Sequence, residues 1–264
     1  MRGCAKIKPQ GVVTPNSHGS ERHAMNVDDL VVEVQAFCRQ NADPQVAQKY
    51  TRYFVEGYDP YGVDPKLMQA REKEWLVQYR PTLGLAGFLQ AGDRLVRSGK
   101  YEEANAAFYL VKHCAREFTP QTLDHLAAWL DDGIRNWAHC DQFSGDIVST
   151  FLTRQIIPVS ALADWRAAQS KWKRRAVPVS LLDLLKGRSA VGDLLDFLAP
   201  MMTDGEKVVH QGLGWFLREA WKRDAPAVEA FLLDWKQVCA RLIVQYATEK
   251  MSAEQKARFK RDPR

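Results

Sequence analysis

The chain has 264 residues, 46% of them apolar and 26% charged, which suits a globular protein with a large core and excludes a disordered chain. Lys and Arg outnumber Asp and Glu by 37 to 32, a net charge of +5; this mild excess permits a nucleic-acid partner without requiring one. Cys4, Cys38, Cys114, Cys140 and Cys239 are odd in number and none has C-x-x-C spacing, which argues against a disulfide framework or zinc site and points to a reducing cytoplasm.

Residues 1–25 are rich in Gly, Pro, Ser, Asn and His, lack an apolar h-region and show no periodicity. They are expected to form a flexible tail, with Met25 as an alternative start. Val27 to Phe37 then has apolar residues at helical spacing. Asp43-Pro44 is a helix start, an N-cap acid followed by proline. The helix it opens carries Tyr50, Tyr53 and Phe54, ends at Gly57, and leads into a turn through Pro65.

Tyr101–His113 is amphipathic, and Thr119-Pro120 starts another helix. Further helices are predicted over Phe143–Leu152, Ala161–Gln169, Trp172–Leu185, Gly192–Leu198, Glu206–Lys222, Pro226–Trp235 and Val238–Lys250. No alternating strand pattern is bounded by an Asn-Gly or Asp-Gly turn. No run of about 18 apolar residues is present to span a membrane. The expectation is an all-α fold, with a helical-repeat domain over residues 26–252 and a basic tail over 253–264.

Helices joined by short turns suggest a bundle or a solenoid. Two W-x-x-R elements, Trp172 to Arg175 and Trp215 to Arg218, lie 43 residues apart, and Trp137 precedes Trp172 by 35. That spacing is near the roughly 40–47-residue period of HEAT-type repeats. Trp137 and Asp141 are four apart, and each Trp/Arg pair is three apart, so on helices each set shares a face. Stacked repeats would bring indoles, guanidinium forks and one carboxylate to a common concave surface. Each residue also has a plainer reading: a helical Trp is usually core, Asp141 can cap a helix broken near Ser144 and Gly145, and the arginines can be solvated surface. The six histidines form no spaced ligand motif, and no glycine-rich phosphate loop is present, so no metal or cofactor is expected.

These elements resemble the DNA alkylation repair proteins of the AlkD type. Val208 to Arg223 looks like that family's G-W-x-L-R-E helix, Ser170 to Ala176 its W-x-x-R-A element, and Asn136 to Asp141 its W-x-x-x-D element. Ala47 to Phe54, with Gly62, Val63 and Pro65, resembles its early Y-(M/F)…G-(I/V)-x-x-P region, and Arg241 to Lys250 its closing helix. The resemblance runs from about Val46 to Tyr246 and implies a HEAT-like α-α superhelix, an α-solenoid of antiparallel helix pairs, that wraps duplex DNA.

It further implies a monofunctional DNA glycosylase that excises cationic N3- and N7-alkylated purines from double-stranded DNA, acting as a cytoplasmic, nucleoid-associated monomer in base-excision repair. Carried over residue by residue, Asp141 is the catalytic carboxylate, Trp137 and Trp215 flank the lesion's deoxyribose, Arg175 and Arg218 contact the backbone, and Tyr53 lies near the lesion. Trp172, Lys173 and Arg174 belong to the same DNA-binding set, within a basic stretch that also holds Arg166, Lys171, Lys186 and Arg188. The sequence departs from the family at His139 and Cys140, which would change the solvation of Asp141, and at Pro60 to Val63 and Lys66 to Met68. The alternatives are a non-catalytic HEAT-like protein that binds branched or distorted DNA, and a protein-interaction scaffold.

Overall fold

The computed structural model describes residues 25–187 and 189–262, and within them every regular element is helical. The expected tail over residues 1–25 lies outside the described residues except for Met25, and so does Arg188. A single isolated bridge joins Asp59 to Lys100. Among the described residues no helix is long and apolar enough to cross a membrane.

Five helices lie side by side: α4 (Tyr101–Lys112), α6 (Trp137–Phe143), α8 (Lys171–Ser180), α10 (Lys207–Trp221) and α12 (Arg241–Ala247). Around them are α1 (Val27–Gln40), α2 (Pro44–Thr51), α3 (Pro65–Arg97), α5 (Pro120–Asp132), α7 (Ser149–Thr153), α9 (Val191–Leu198), α11 (Ala225–Trp235) and α13 (Ala253–Ala257). α1 and α3 cover α4, α5 packs on α3 and α8, and α11 bridges α9 and α10. This is the all-α, HEAT-like superhelix expected, with one apolar core running from Leu30 to Phe259.

The caps follow the local sequence. Asp43 and Asp224 each accept a backbone N–H at a helix start with proline in the first turn. Thr119 and Thr122 form a reciprocal cap on α5. α3 was not singled out as a helix in the sequence, because Pro81 and then Gly84, at φ 53°, interrupt its periodicity. Its two halves bury Trp75, Tyr79, Phe88 and Leu95.

Three expectations are revised. Residues 159–167 form two short 3-10 turns rather than one helix, with Leu162 and Trp165 anchored in the core. The break expected near Ser144 and Gly145 is a single π turn over Ser144–Val148 that joins α6 to α7. Asp141 therefore lies within a helix and caps nothing. The segment after residue 252, expected as a tail, contains α13; Phe259 is buried, and Arg258 pairs with Glu229 at 2.5 Å.

Candidate functional site

The N-terminus of α6 is fixed first. Asn136, itself buried, caps α6 by accepting from the His139 N–H at 2.9 Å, and its Nδ2 donates to the Gly57 carbonyl at 2.9 Å. The loop after α2 is thereby tied to the helix that carries Trp137 and Asp141. His139 turns inward: its Nε2 donates to the Tyr101 carbonyl at 3.0 Å, its ring stacks on Tyr101 at 4.5 Å, and burial lowers its pKa to about 4. Cys140 is fully buried and donates to the Trp172 carbonyl at 3.3 Å. Both side chains are therefore part of the helix packing, and neither supplies solvent to Asp141.

On the next turn Asp141 meets Arg175 of α8. Nε and Nη2 of Arg175 each reach one carboxylate oxygen at 2.8 Å, a bidentate pair, while Nη1 donates to the Val208 carbonyl at 2.5 Å. The two side chains are 16% and 6% exposed. Burial pushes the Asp141 carboxyl upward, and the guanidinium opposes that shift. Arginine keeps its proton, so its charge favours the carboxylate form against the push of burial. Arg175 was expected to contact DNA; here its fork is occupied in holding Asp141 and α10.

The glycines of Gly212-Leu-Gly-Trp215 bring α10 close enough to complete the site. A side chain at Gly214 would lie 2.4 Å from Tyr246 Cβ on α12, so only glycine allows that approach. Trp215, Gln211 and Arg218 then face the same space as Tyr246, whose hydroxyl accepts from Gln211 Nε2 at 2.9 Å. Arg218 pairs with Glu219 at 3.1 Å and also with Glu249.

Trp137, Asp141, Arg175, Trp215 and Arg218 line one open cavity of about 590 Å3, bordered also by Tyr53 and Trp172. Trp137 is not core: it is 40% exposed, stacks on Phe54 at 5.4 Å and donates from Nε1 to the Tyr53 carbonyl at 3.1 Å. Trp172, by contrast, is 7% exposed and serves as a packed wall. Trp172 is the second residue of α8, whereas Trp215 is in the middle of α10, so the two W-x-x-R elements do not occupy matching helix positions. A shallower depression of about 460 Å3 shares Asp141 and Trp215 and extends the groove toward Lys222 and Arg223.

Among the described residues, the cations of the basic stretch are engaged within the fold. Lys171 pairs with Glu56 at 2.7 Å, Lys173 with Asp131 at 2.6 Å, Arg174 with Asp204 at 2.6 Å and Lys186 with Asp183 at 2.6 Å. Arg166 donates to the Ala163 and Phe197 carbonyls. Neither Lys173 nor Arg174 borders the cavity. Sequence reading missed Lys207, which is exposed at the cavity rim and makes no ion pair or hydrogen bond among the described residues. Its place in the first turn of α10, one helix turn before Gln211, was the available signal. No group of three or more His, Cys, Asp or Glu with metal-binding geometry occurs among the described residues.

A sequence profile described as DNA alkylation repair enzyme matches residues 34–251. The fold is similar to that of a solved structure described as a predicted DNA alkylation repair enzyme from Enterococcus faecalis, with a TM-score of 0.69 and 16% identity over 81% of this chain and 98% of that one. No curated protein matches the chain. With the profile spanning most of its length, the chain belongs to the DNA alkylation repair enzyme family.

Proposed function

We propose that this protein is a monofunctional DNA glycosylase that removes cationic N3- and N7-alkylated purines from double-stranded DNA. The observation that carries the reading is the Asp141 carboxylate, held by a bidentate Arg175 fork in an open cavity that Trp137 and Trp215 also line.

An alkylated purinium is already a good leaving group and needs no strong acid. As the C1′–N bond breaks, its electron pair neutralises the base and positive charge builds on the sugar. A carboxylate about 4 Å from that centre contributes about 4 kcal/mol at an effective dielectric near 20, and a guanidinium about 3 Å farther away reduces this to about 2 kcal/mol. That leaves roughly a 20-fold rate effect from charge alone. Asp141 adds general-base assistance by taking a proton from the water that attacks C1′, typically worth about 10²–10⁴-fold. Indole faces beside the cationic sugar contribute roughly 0.5–2 kcal/mol and exclude water.

Duplex affinity in this reading rests on cations at the groove, first among them Lys207, which makes no ion pair among the described residues, rather than on the paired basic stretch. The test is release of 7-methylguanine or 3-methyladenine from methylated duplex DNA, with Asp141→Asn as the comparison. Duplex binding without release by the wild-type protein would leave a non-catalytic DNA-binding solenoid instead.

A further inference from the structure

Among the described residues, two ion pairs have both members on the wall of the Asp141 cavity: Arg175 with Asp141, and Lys171 with Glu56. They differ in how firmly they are held. The first is a bidentate fork whose side chains are 6% and 16% exposed. The second is a single contact from Lys171 Nζ to Glu56 Oε1 at 2.7 Å, with side chains 29% and 49% exposed. A planar guanidinium grips a carboxylate through two fixed bonds, whereas a lysine ammonium is a compact charge on a flexible stem. Exposed pairs of the second kind contribute little, because water competes for both charges.

Glu56 lies in the loop between α2 and α3, and that loop is anchored without it. On one side of Glu56 the Tyr53 carbonyl accepts from Trp137 Nε1 at 3.1 Å, and on the other the Gly57 carbonyl accepts from Asn136 Nδ2 at 2.9 Å. Lys171 is the first residue of α8, and its ammonium lies 5.2 Å from the ring of Trp172 in the cavity wall. The Glu56 side chain can therefore swing into solvent while the loop, α8 and the Trp137 indole keep their places. The pairs of Lys173 with Asp131 and Arg174 with Asp204 offer no such exchange at the site, since none of these four residues borders the cavity.

We propose that Glu56 is an internal stand-in for a DNA phosphate: it occupies Lys171 in the free protein and yields that ammonium to a phosphodiester when a duplex enters the cavity. The proposal rests on the DNA-binding part of the function proposed above, and it adds one member of the paired basic stretch to the cations of the groove. No covalent bond changes; a carboxylate–ammonium contact is exchanged for a phosphate–ammonium contact. The duplex has the advantage because it carries one charge per about 1.7 Å of axis, and each phosphate neutralised releases condensed counterions. A displaced Glu56 stays at the rim beside phosphates of like charge. Lys171 is thus a DNA contact that the free protein conceals, and Glu56 weakens the grip on any one stretch of duplex, which shortens residence there.

The test measures binding of the full chain to an unmodified duplex by fluorescence anisotropy at several salt concentrations, for the wild type, Lys171→Ala, Glu56→Gln and the double variant. Lys171→Ala should reduce the slope of log K against log salt by about 0.9, although its ammonium is paired in the free protein. Lys173→Ala, paired away from the cavity, is the control that should leave the slope unchanged. Glu56→Gln should tighten binding about threefold at low salt. That gain should shrink in the Lys171→Ala background, because a competitor matters only while the contested cation is present. Thermal unfolding checks that the variants remain folded, as substitutions on exposed side chains allow.

An unchanged slope in Lys171→Ala would overturn the exchange. So would unchanged or weaker binding by Glu56→Gln, which would make the pair a brace for the loop. An equal gain from Glu56→Gln in both backgrounds would overturn it too, leaving Glu56 as a repelling charge only. The unmodified duplex holds nothing to excise, so the two readings fail separately. Base release from methylated duplex beside an unchanged Lys171→Ala slope removes only the exchange, and an intact exchange without base release removes only the glycosylase reading. A wild type that does not bind duplex removes both.

Discussion

Two buried acids flank Trp137, and the protein treats them in opposite ways. Asp141 is gripped by two nitrogens of an arginine fork, whose charge opposes the upward push of burial. Glu72 has no hydrogen-bond or ion-pair partner among the described residues, and burial raises it to about 7. Desolvation acts on both; the difference is the guanidinium. A fixed negative charge suits an acid that stabilises a developing cation. The same division separates the cations. Lys173 and Arg174 are neutralised within the fold, whereas Lys207 at the rim of the site makes no ion pair among the described residues.

The largest stability effect should come from removing the fork. Arg175→Met strands a buried carboxylate and should destabilise the protein by about 3–5 kcal/mol. The loss should be greatest at pH 8 and smaller at pH 5, where the stranded Asp141 takes up a proton. Urea unfolding at the two pH values measures it, and an equal loss at both would show that the pair is not the source.

Glu72→Gln should act in the opposite direction. The folded-state pKa is raised, so Glu72 contributes stability that is fully present below about 4.5 and lost as pH rises through about 7. The variant should escape that loss and exceed the wild type by roughly 3 kcal/mol more at pH 8 than at pH 4. His139 runs the other way: its pKa is lowered to about 4, so its contribution is present above about 6.5 and lost as pH falls through about 4. That contribution cancels in the difference between wild type and variant.

The smallest effects concern DNA affinity. Lys207→Ala should reduce the slope of log K against log salt by about 0.9, the value of one phosphate contact. Lys173→Ala should leave that slope unchanged, because its ammonium is already paired with Asp131. Fluorescence anisotropy on one duplex at several salt concentrations separates the two, and equal slopes for both variants would erase the distinction.

The sequence made Trp137, Asp141, Trp215 and the Trp/Arg spacing visible, because residues three and four apart share a helix face. It did not show that Arg175 would reach Asp141, since that pair joins two helices across 34 residues. For the same reason the basic stretch looked like a clamp: Asp131 and Asp204 are distant in sequence and their pairing is tertiary. The aromatic cluster packed beside Trp137 was only partly legible. Tyr53 and Phe54 were expected on the helix that opens at Asp43, but α2 ends at Thr51 and both lie in the loop after it, while Glu72 sits on α3, whose periodicity is interrupted by Pro81 and Gly84. Where the sequence suggested a helix break near Ser144, one π turn keeps the chain helical and leaves Asp141 facing the groove.

The most direct test of the account is single-turnover release of 7-methylguanine from a methylated duplex by the wild-type protein and by Asp141→Asn, with binding to the same duplex measured in parallel. The account predicts release by the wild type, a loss of at least about 100-fold in the variant, and similar duplex affinity for the two. Absence of released base from the wild type, or release by Asp141→Asn at the wild-type rate, would contradict it.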